Sequence, residues 1–314
     1  MAIDEGHWIT LENGVHVLIK DGQSVEEALA QKFDNDDDLD FDSDNSMSEP
    51  YKNLARTDFK GKIKIQKNSF TSTKEWFLRA FDNKYNDEEL DNVITNFFNT
   101  RKNFKIKLKN TNSGRCSHFK PYGDMIVIDT DYSPDKMDIL NTFYHEMGHA
   151  IDFDPASNNY KSNTYVSSRY NSTLRDMLDE EFKENLDEDT IKEIRKSIID
   201  KMNKLKRDTD EELDEYNNLT DILASFGDLV QNVFGNDVCQ RCCNGYLGHN
   251  DIMHMGKQIH YFEYKKFKGT ECFAELCSNL ASDKNRHLIN IFQQYAPKTL
   301  DIFYEILGGM KKNG

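Results

Sequence analysis

The run His145-Glu146-Met147-Gly148-His149 holds the residue types most able to do chemistry. On a helix, positions i and i+4 lie one above the other on one face, so both imidazoles can reach a single ion at about 2.0–2.1 Å. Glu146 projects to the side on which a water held by such an ion would sit. Two histidines and a glutamate at this spacing form the pattern of a zinc site. Histidines that only packed or hydrogen-bonded would leave a glutamate unexplained in an otherwise apolar segment, where a carboxylate without a partner is costly.

Catalytic zinc takes three protein ligands and keeps one position for water. A third histidine six residues after His149 is excluded by Pro155, and Asp152 stands where that pattern places a glycine. The later run Glu271-Cys272-Phe273-Ala274-Glu275 sets two carboxylates at i and i+4 on one face of a predicted helix. Glu271 would complete the ligand set, and Glu275 would orient a ligand histidine from behind it. Phe273, Ala274 and Leu276 argue against a solvated acidic stripe. Asp152 has two open readings: it accepts a hydrogen bond from a ligand imidazole, or it begins the helix exit.

The elements that must position these residues are legible in outline. Ser133-Pro134-Asp135 supplies an N-cap, a proline at the first helical position and an acid in the first turn. The helix predicted from there runs through Ile139, Leu140, Phe143, Met147, Ala150 and Ile151. Ahead of it, the apolar run 124–129 reads as a buried strand. Segments 61–66 and 104–109 alternate apolar and mostly basic residues, as strands with one wet face do. Between them, 73–81 and 87–98 show helical spacing, with Leu90, Val93, Ile94, Phe97 and Phe98 on one stripe. Residues 171–220 are highly charged with helical periodicity, which predicts a long solvated helical hairpin or insertion. Helices near 221–234, 270–281, 285–295 and 298–307 follow, with Pro297 in the first turn of the last. The predicted class is α+β, in a main domain spanning 51–314.

The remaining N-terminal part divides in two. Residues 8–20 alternate around Asn13-Gly14, the signature of a hairpin, and a lone hairpin is marginal in water, so 1–32 reads as a docking segment. Residues 33–50 are an acidic linker in which seven aspartates between 34 and 44 repel one another, so disorder is predicted. Asp36, Asp38 and Asp40 alternate as in a calcium loop, but Phe41 and Met47 occupy the positions that need Gly and Glu.

The net charge of −15 argues against a general nucleic-acid binder. It is concentrated in residues 1–50, with fourteen acids and two lysines, while the other 264 residues carry a net of −3. No apolar run approaches the roughly 18–20 residues of a membrane span. The opening Met-Ala-Ile-Asp-Glu-Gly has neither the basic nor the apolar region of a secretion signal, so a cytoplasmic or virion-associated chain is expected. The six cysteines are then reduced thiols. Cys239-Gln-Arg-Cys242-Cys243, followed by His249, His254 and His260, could hold a structural zinc ion, but the spacings fit no ribbon or finger and unligated thiols are favoured. Cys272 and Cys277 read as core residues, and His7, His16, His118 and His287 as surface or structural ones.

The octapeptide His145-Glu-Met-Gly-His-Ala-Ile-Asp152, followed far downstream by Glu271-Cys-Phe-Ala-Glu275, resembles the catalytic domain of the anthrax lethal factor family of zinc metallopeptidases. Tyr264 stands seven positions before Glu271, where that family has its catalytic tyrosine, and Ala296-Pro-Lys-Thr299 is similar to a stretch of its C-terminal helices. Asp221-Ile-Leu, Gly245-Tyr-Leu-Gly-His249 and the Glu-x-Phe-Ala-Glu segment also resemble the zincin-type domains of phage minor head and head-morphogenesis proteins. The segments around Trp8-Ile-Thr and His16-Val-Leu-Ile-Lys-Asp-Gly-Gln are similar to parts of the same phage proteins. The likeness covers roughly 120–310 and, separately, 8–23. The interval between His149 and Glu271 is much longer than in lethal factor. Residues 160–220 therefore look like an insertion, and Tyr261 and Tyr246 become rivals of Tyr264.

This resemblance implies a zincin-like fold, with a small mixed sheet on the histidine-bearing helix, and one catalytic Zn2+ held by His145, His149 and Glu271. It implies hydrolysis of peptide bonds in a protein substrate. Zinc would draw the pKa of water toward about 7 and polarise the scissile carbonyl. Glu146 would take the water proton and return it to the leaving amine. Tyr264 or a protonated His249 would stabilise the oxyanion. Phage head components are the further partners implied, with neither nucleic acid nor membrane. The alternative from another class is a head-associated structural or adaptor protein with a non-catalytic zincin-like domain. Glu146 speaks for chemistry, because a structural zinc site fills all four positions and needs no base.

Overall fold

The computed structural model describes residues 6–10, 16–20, 63–65, 88–109, 117–129, 139–243, 252–254, 257–259, 265–283 and 285–309. The acidic run 33–50, the predicted helix 73–81, Ser133-Pro134-Asp135 and Cys116 lie outside them. At the N-terminus, β1 (Gly6–Thr10) and β2 (His16–Lys20) pair antiparallel, with Gly6 opposite Lys20 and Thr10 opposite His16. This is the hairpin that the alternation around Asn13-Gly14 predicts.

A four-stranded sheet follows, built from β3 (Ile63–Ile65), β4 (Lys105–Lys109), β5 (His118–Lys120) and β6 (Met125–Asp129), with α1 (Glu88–Thr100) ahead of β4. The strand order is β3-β4-β6-β5: the first three are parallel, and β5 runs antiparallel to β6 at the edge. Ile106 pairs with Ile126 and Leu108 with Ile128, and all four are fully buried. The expectation of a wet face fails at Lys107, which is 2% exposed opposite the buried Val127. Strands in a parallel pairing are commonly covered on both faces. From α1, Leu90, Val93, Ile94 and Phe98 enter the core, and Phe97 stacks edge-on against Phe104 at 4.8 Å.

The histidine-bearing helix is α2 (Ile139–Asp152), which packs on β5 and β6. A short ribbon of β7 (Phe153–Asp154) and β8 (Asn159–Tyr160) reverses the chain into the single turn α3 (Lys161–Thr164). Then come α4 (Leu174–Asn185), α5 (Glu188–Met202), α6 (Asp210–Phe234) and α7 (Asn236–Cys243). After the small antiparallel pair β9 (Ile252–His254) and β10 (Lys257–Ile259), the described chain ends with α8 (Lys265–Ser282), α9 (His287–Tyr295) and α10 (Pro297–Gly309). It is mostly helical with a small mixed sheet, an α+β architecture. No helix of the described residues is long and apolar enough to cross a membrane.

Only the outer faces of the 171–220 segment are solvated. Leu174, Leu178 and Phe182 of α4 are fully buried, as is Ile191 of α5, and α4 packs on both α8 and α10. The charges follow the same division. Lys183 and Asp179 pair on the outside, where such pairs contribute little, whereas Glu181 points inward. Its carboxylate accepts from the backbone N–H groups of Lys298 (3.1 Å) and Thr299 (2.7 Å) and from the Thr299 hydroxyl (2.8 Å). A carboxylate at a helix start satisfies orphan donors and faces the positive end of the dipole. Ala296-Pro-Lys-Thr299 is thus a helix start whose cap comes from another helix.

Helix α8 is the centre of the fold, with every residue from Gly269 to Ala281 buried. Its closest neighbour is α2, and Gly148 sets their separation. A Cβ there would lie 2.7 Å from the Ala274 Cα and 3.1 Å from the Cys277 Cβ. Glycine within a helix costs about 1 kcal/mol relative to alanine. Forcing a methyl against backbone costs about 1–3 kcal/mol, since Ala274 Cα cannot swing aside. Gly148→Ala is therefore expected to lower Tm by parting the two helices. A thermal melt that stays level or rises would show that the contact has slack.

Candidate metal centre

Three of the sequence-selected side chains converge. His145 Nε2 and His149 Nε2 lie 3.1 Å apart, and Glu271 Oε2 lies 3.4 Å from the first and 3.6 Å from the second. The edge of a tetrahedron around an ion with ligands at about 2.0–2.1 Å is about 3.3–3.4 Å, within the spread of these spacings. Among the described residues this is the one His/Cys/Asp/Glu group able to share an ion. Its donor set, two imidazole nitrogens and a carboxylate oxygen, suits a borderline ion such as zinc. The imidazoles keep 17% and 11% of their side-chain exposure against 2% for Glu271, so the site opens on the histidine side.

Glu275 lies one turn beyond Glu271, and its Oε1 is 3.2 Å from His145 Nδ1. With the proton of His145 on Nδ1, facing that carboxylate, Nε2 presents its lone pair to the space it shares with His149 and Glu271. The second oxygen of Glu275 accepts from the Ser225 hydroxyl of α6. Burial opposes charge on both partners, yet their mutual attraction prevails. The Glu275 and Glu271 carboxylates hold the His145 imidazole well above its ordinary pKa, and His145 with Ser225 holds Glu275 below the usual carboxylate range. The acidic pair on α8 is thus a buried polar stripe, as its apolar neighbours suggested.

Asp152 resolves differently from its ligand-orienting reading. Its carboxylate, fully buried, accepts from the backbone N–H of Ser162 at 2.7 Å and from the Ser162 hydroxyl. It therefore caps α3 across the ribbon and makes no hydrogen bond to His149, which it feels only through charge. Burial pushes its pKa up to about 7, against the pull of Ser162 and His149. Glu146 is 7% exposed on the flank of α2 beside the histidines. Tyr264, Tyr261, Tyr246 and His249 lie outside the described residues. Cys239, Cys242 and Cys243 are buried on α7, where the Cys239 thiol donates to the Gly227 carbonyl at 3.4 Å, while Cys272 and Cys277 fill the core on α8. His287 is structural, with Nε2 3.0 Å from Glu215.

The sequence reading missed one residue at the centre. Ser225 is a hydroxyl between the buried Ile222, Leu223 and Phe226, and a polar residue in such a run was the available signal. Compared with family models, characterised proteins and solved structures, the chain finds no match in any of the three.

Glu275→Ala is expected to weaken zinc affinity about 10–100-fold, the usual effect of losing a partner that orients a ligand histidine. Competition with a chromophoric chelator measures it, and unchanged affinity would leave Glu275 without that role. Binding must also displace the proton that the carboxylates favour on His145. Affinity should therefore fall about tenfold per pH unit below the raised imidazole pKa. In the metal-free chain the sign is opposite for His145: its contribution to stability is fully present below the unfolded imidazole value and lost as pH rises through the folded one, while that of Glu275 is lost as pH falls through its own depressed value.

Proposed function

We propose that this chain is a zincin-type metallopeptidase, hydrolysing peptide bonds of a protein substrate with a divalent ion, best matched by Zn2+, held by His145, His149 and Glu271. The observation that carries the reading is the meeting of those three ligand atoms with Glu146 alongside and the histidine side open. A bound ion of this kind supplies acidified water and a polarised carbonyl. The chain supplies the rest. Glu146, the next residue after His145 on the same helix, would accept a proton from water and pass it to the leaving nitrogen. The Ser225–Glu275–His145 chain holds one imidazole in a fixed tautomer and orientation, so little reorganisation is needed during the reaction.

A peptide substrate is favoured by the sheet. Among the described residues β5 is an edge strand, and it packs against α2. An extended peptide adds to such an edge through main-chain hydrogen bonds, which would lay its backbone beside the histidine-bearing helix. The phage-head setting suggested by the motifs belongs to the same proposal and names where the substrate would be sought.

The test compares wild type with Glu146→Gln. Both are expected to bind one metal per chain, while the variant loses peptide cleavage by about 10²–10⁴-fold. Mass spectrometry of new amino termini in a treated proteome reads both activity and specificity. Equal yields from the two proteins would remove the base and leave a scaffold.

A further inference from the structure

We propose that the cavity enclosed by α1, β7, α3 and α10 binds a small zwitterion with an apolar body, an apolar amino acid or dipeptide, whose carboxylate meets Lys161 and whose ammonium meets Glu305. None of His145, Glu146, His149, Glu271 and Glu275 lines this cavity, so the site stands apart from the hydrolase reading.

The cavity has a volume of about 520 Å³. Sites for small organic ligands run from about 300 to 1,000 Å³, with a mostly apolar lining and a few polar groups that set orientation. Ile151, Phe153 and Ile306, all buried, and the half-buried Phe97 supply the apolar wall. Arg101 stiffens it. Its guanidinium carbon lies 5.2 Å from the centre of the Phe97 ring and 6.0 Å from that of Phe153, and its Nη1 is 3.1 Å from Asp124 Oδ1. Attraction between the cation and the two ring faces holds these side chains together, while Asp124 matches the charge.

Two other charges on the wall are not matched in this way. Lys161 opens α3, and its ammonium makes no hydrogen bond or ion pair with any described residue. The carboxylates nearest to it are engaged elsewhere. Asp152 accepts from the backbone N–H and the hydroxyl of Ser162, and Asp154 from the Ala156 N–H at 3.1 Å and the Ser157 hydroxyl at 2.8 Å. Burial holds the lysine below its ordinary pKa, against the pull of Asp152 and Asp154. Across the cavity wall, Glu305 of α10 accepts from the neutral Tyr165 hydroxyl at 3.2 Å and forms no ion pair among the described residues. A lysine and a glutamate thus line one cavity, both half-buried, without pairing with each other. Charge kept out of water without a counter-ion is costly. A ligand carrying both signs relieves both costs, and its body covers the apolar wall. A plain carboxylate would meet Lys161 but bring a second negative charge into the space that Glu305 lines, and a plain amine would do the reverse.

Isothermal titration with phenylalanine and with leucyl-phenylalanine tests this, on zinc-loaded Glu146→Gln protein so that the dipeptide stays intact. One molecule per chain should bind, with a Kd of about 0.1–1 mM for a ligand of about twelve non-hydrogen atoms. The tighter of the two tells whether one residue or two fill the cavity. Phenylalaninamide, which lacks the carboxylate, and N-acetylphenylalanine, which lacks the ammonium, should each bind about tenfold more weakly than phenylalanine. Lys161→Met should weaken phenylalanine by the same factor and leave phenylalaninamide unchanged, and Lys161→Arg should restore the loss. Glu305→Gln should weaken phenylalanine but not its N-acetyl form. Absence of binding by both probes overturns the site, as does affinity that survives both Lys161→Met and Glu305→Gln. Affinity lost in His145→Ala but kept in Lys161→Met places the zwitterion at the metal centre and overturns it too.

Discussion

Helices α2 and α8 meet at Gly148, and the geometry of the candidate centre follows from that contact. The two histidines and Glu271 come from segments far apart in the chain, and they share one point in space because two helix backbones pack almost directly on each other. A 2.7 Å distance from a would-be Cβ to the Ala274 Cα leaves room for hydrogen alone. The small residues Gly148 and Ala274 therefore do for these three side chains what greater length would otherwise have to do by reaching.

A contact that close leaves buried polar groups to be satisfied, and the fold does this from a third direction. Helix α6 brings Ser225 to Glu275, which faces His145. Helix α4 brings Glu181 to the start of α10. Both carboxylates are buried, and each is matched to donors, the condition under which such burial is tolerable. The helices between the two halves of the centre are therefore structural members of it. The 160–220 segment, whatever its origin, contributes core and caps alike.

How much was legible follows from the range of the interactions. His145, His149, Glu271 and Glu275 could be read because each pair shares one helix, and spacing of four is a local signal. The strands 104–109 and 124–129 and the helix over 87–98 were readable for the same reason. Lys107 was misread because alternation reports a pleat without saying what covers its second face. The 171–220 segment was misjudged because its charge outweighs its apolar stripe in count, though Leu174, Leu178 and Phe182 keep a helical period. Ser225 and the Asp152–Ser162 bond were out of reach, since each is defined by a partner on another element.

The candidate ligands also span the chain unevenly: His149 and Glu271 are separated by about 120 residues, and among the described residues the five helices α3 to α7 lie between them. An ion gripped by both ends would act as a reversible cross-link closing that loop, and closure of so long a stretch constrains the unfolded chain strongly. Unfolding resistance would then follow the free concentration of the ion, making the molecule a sensor of its own loading.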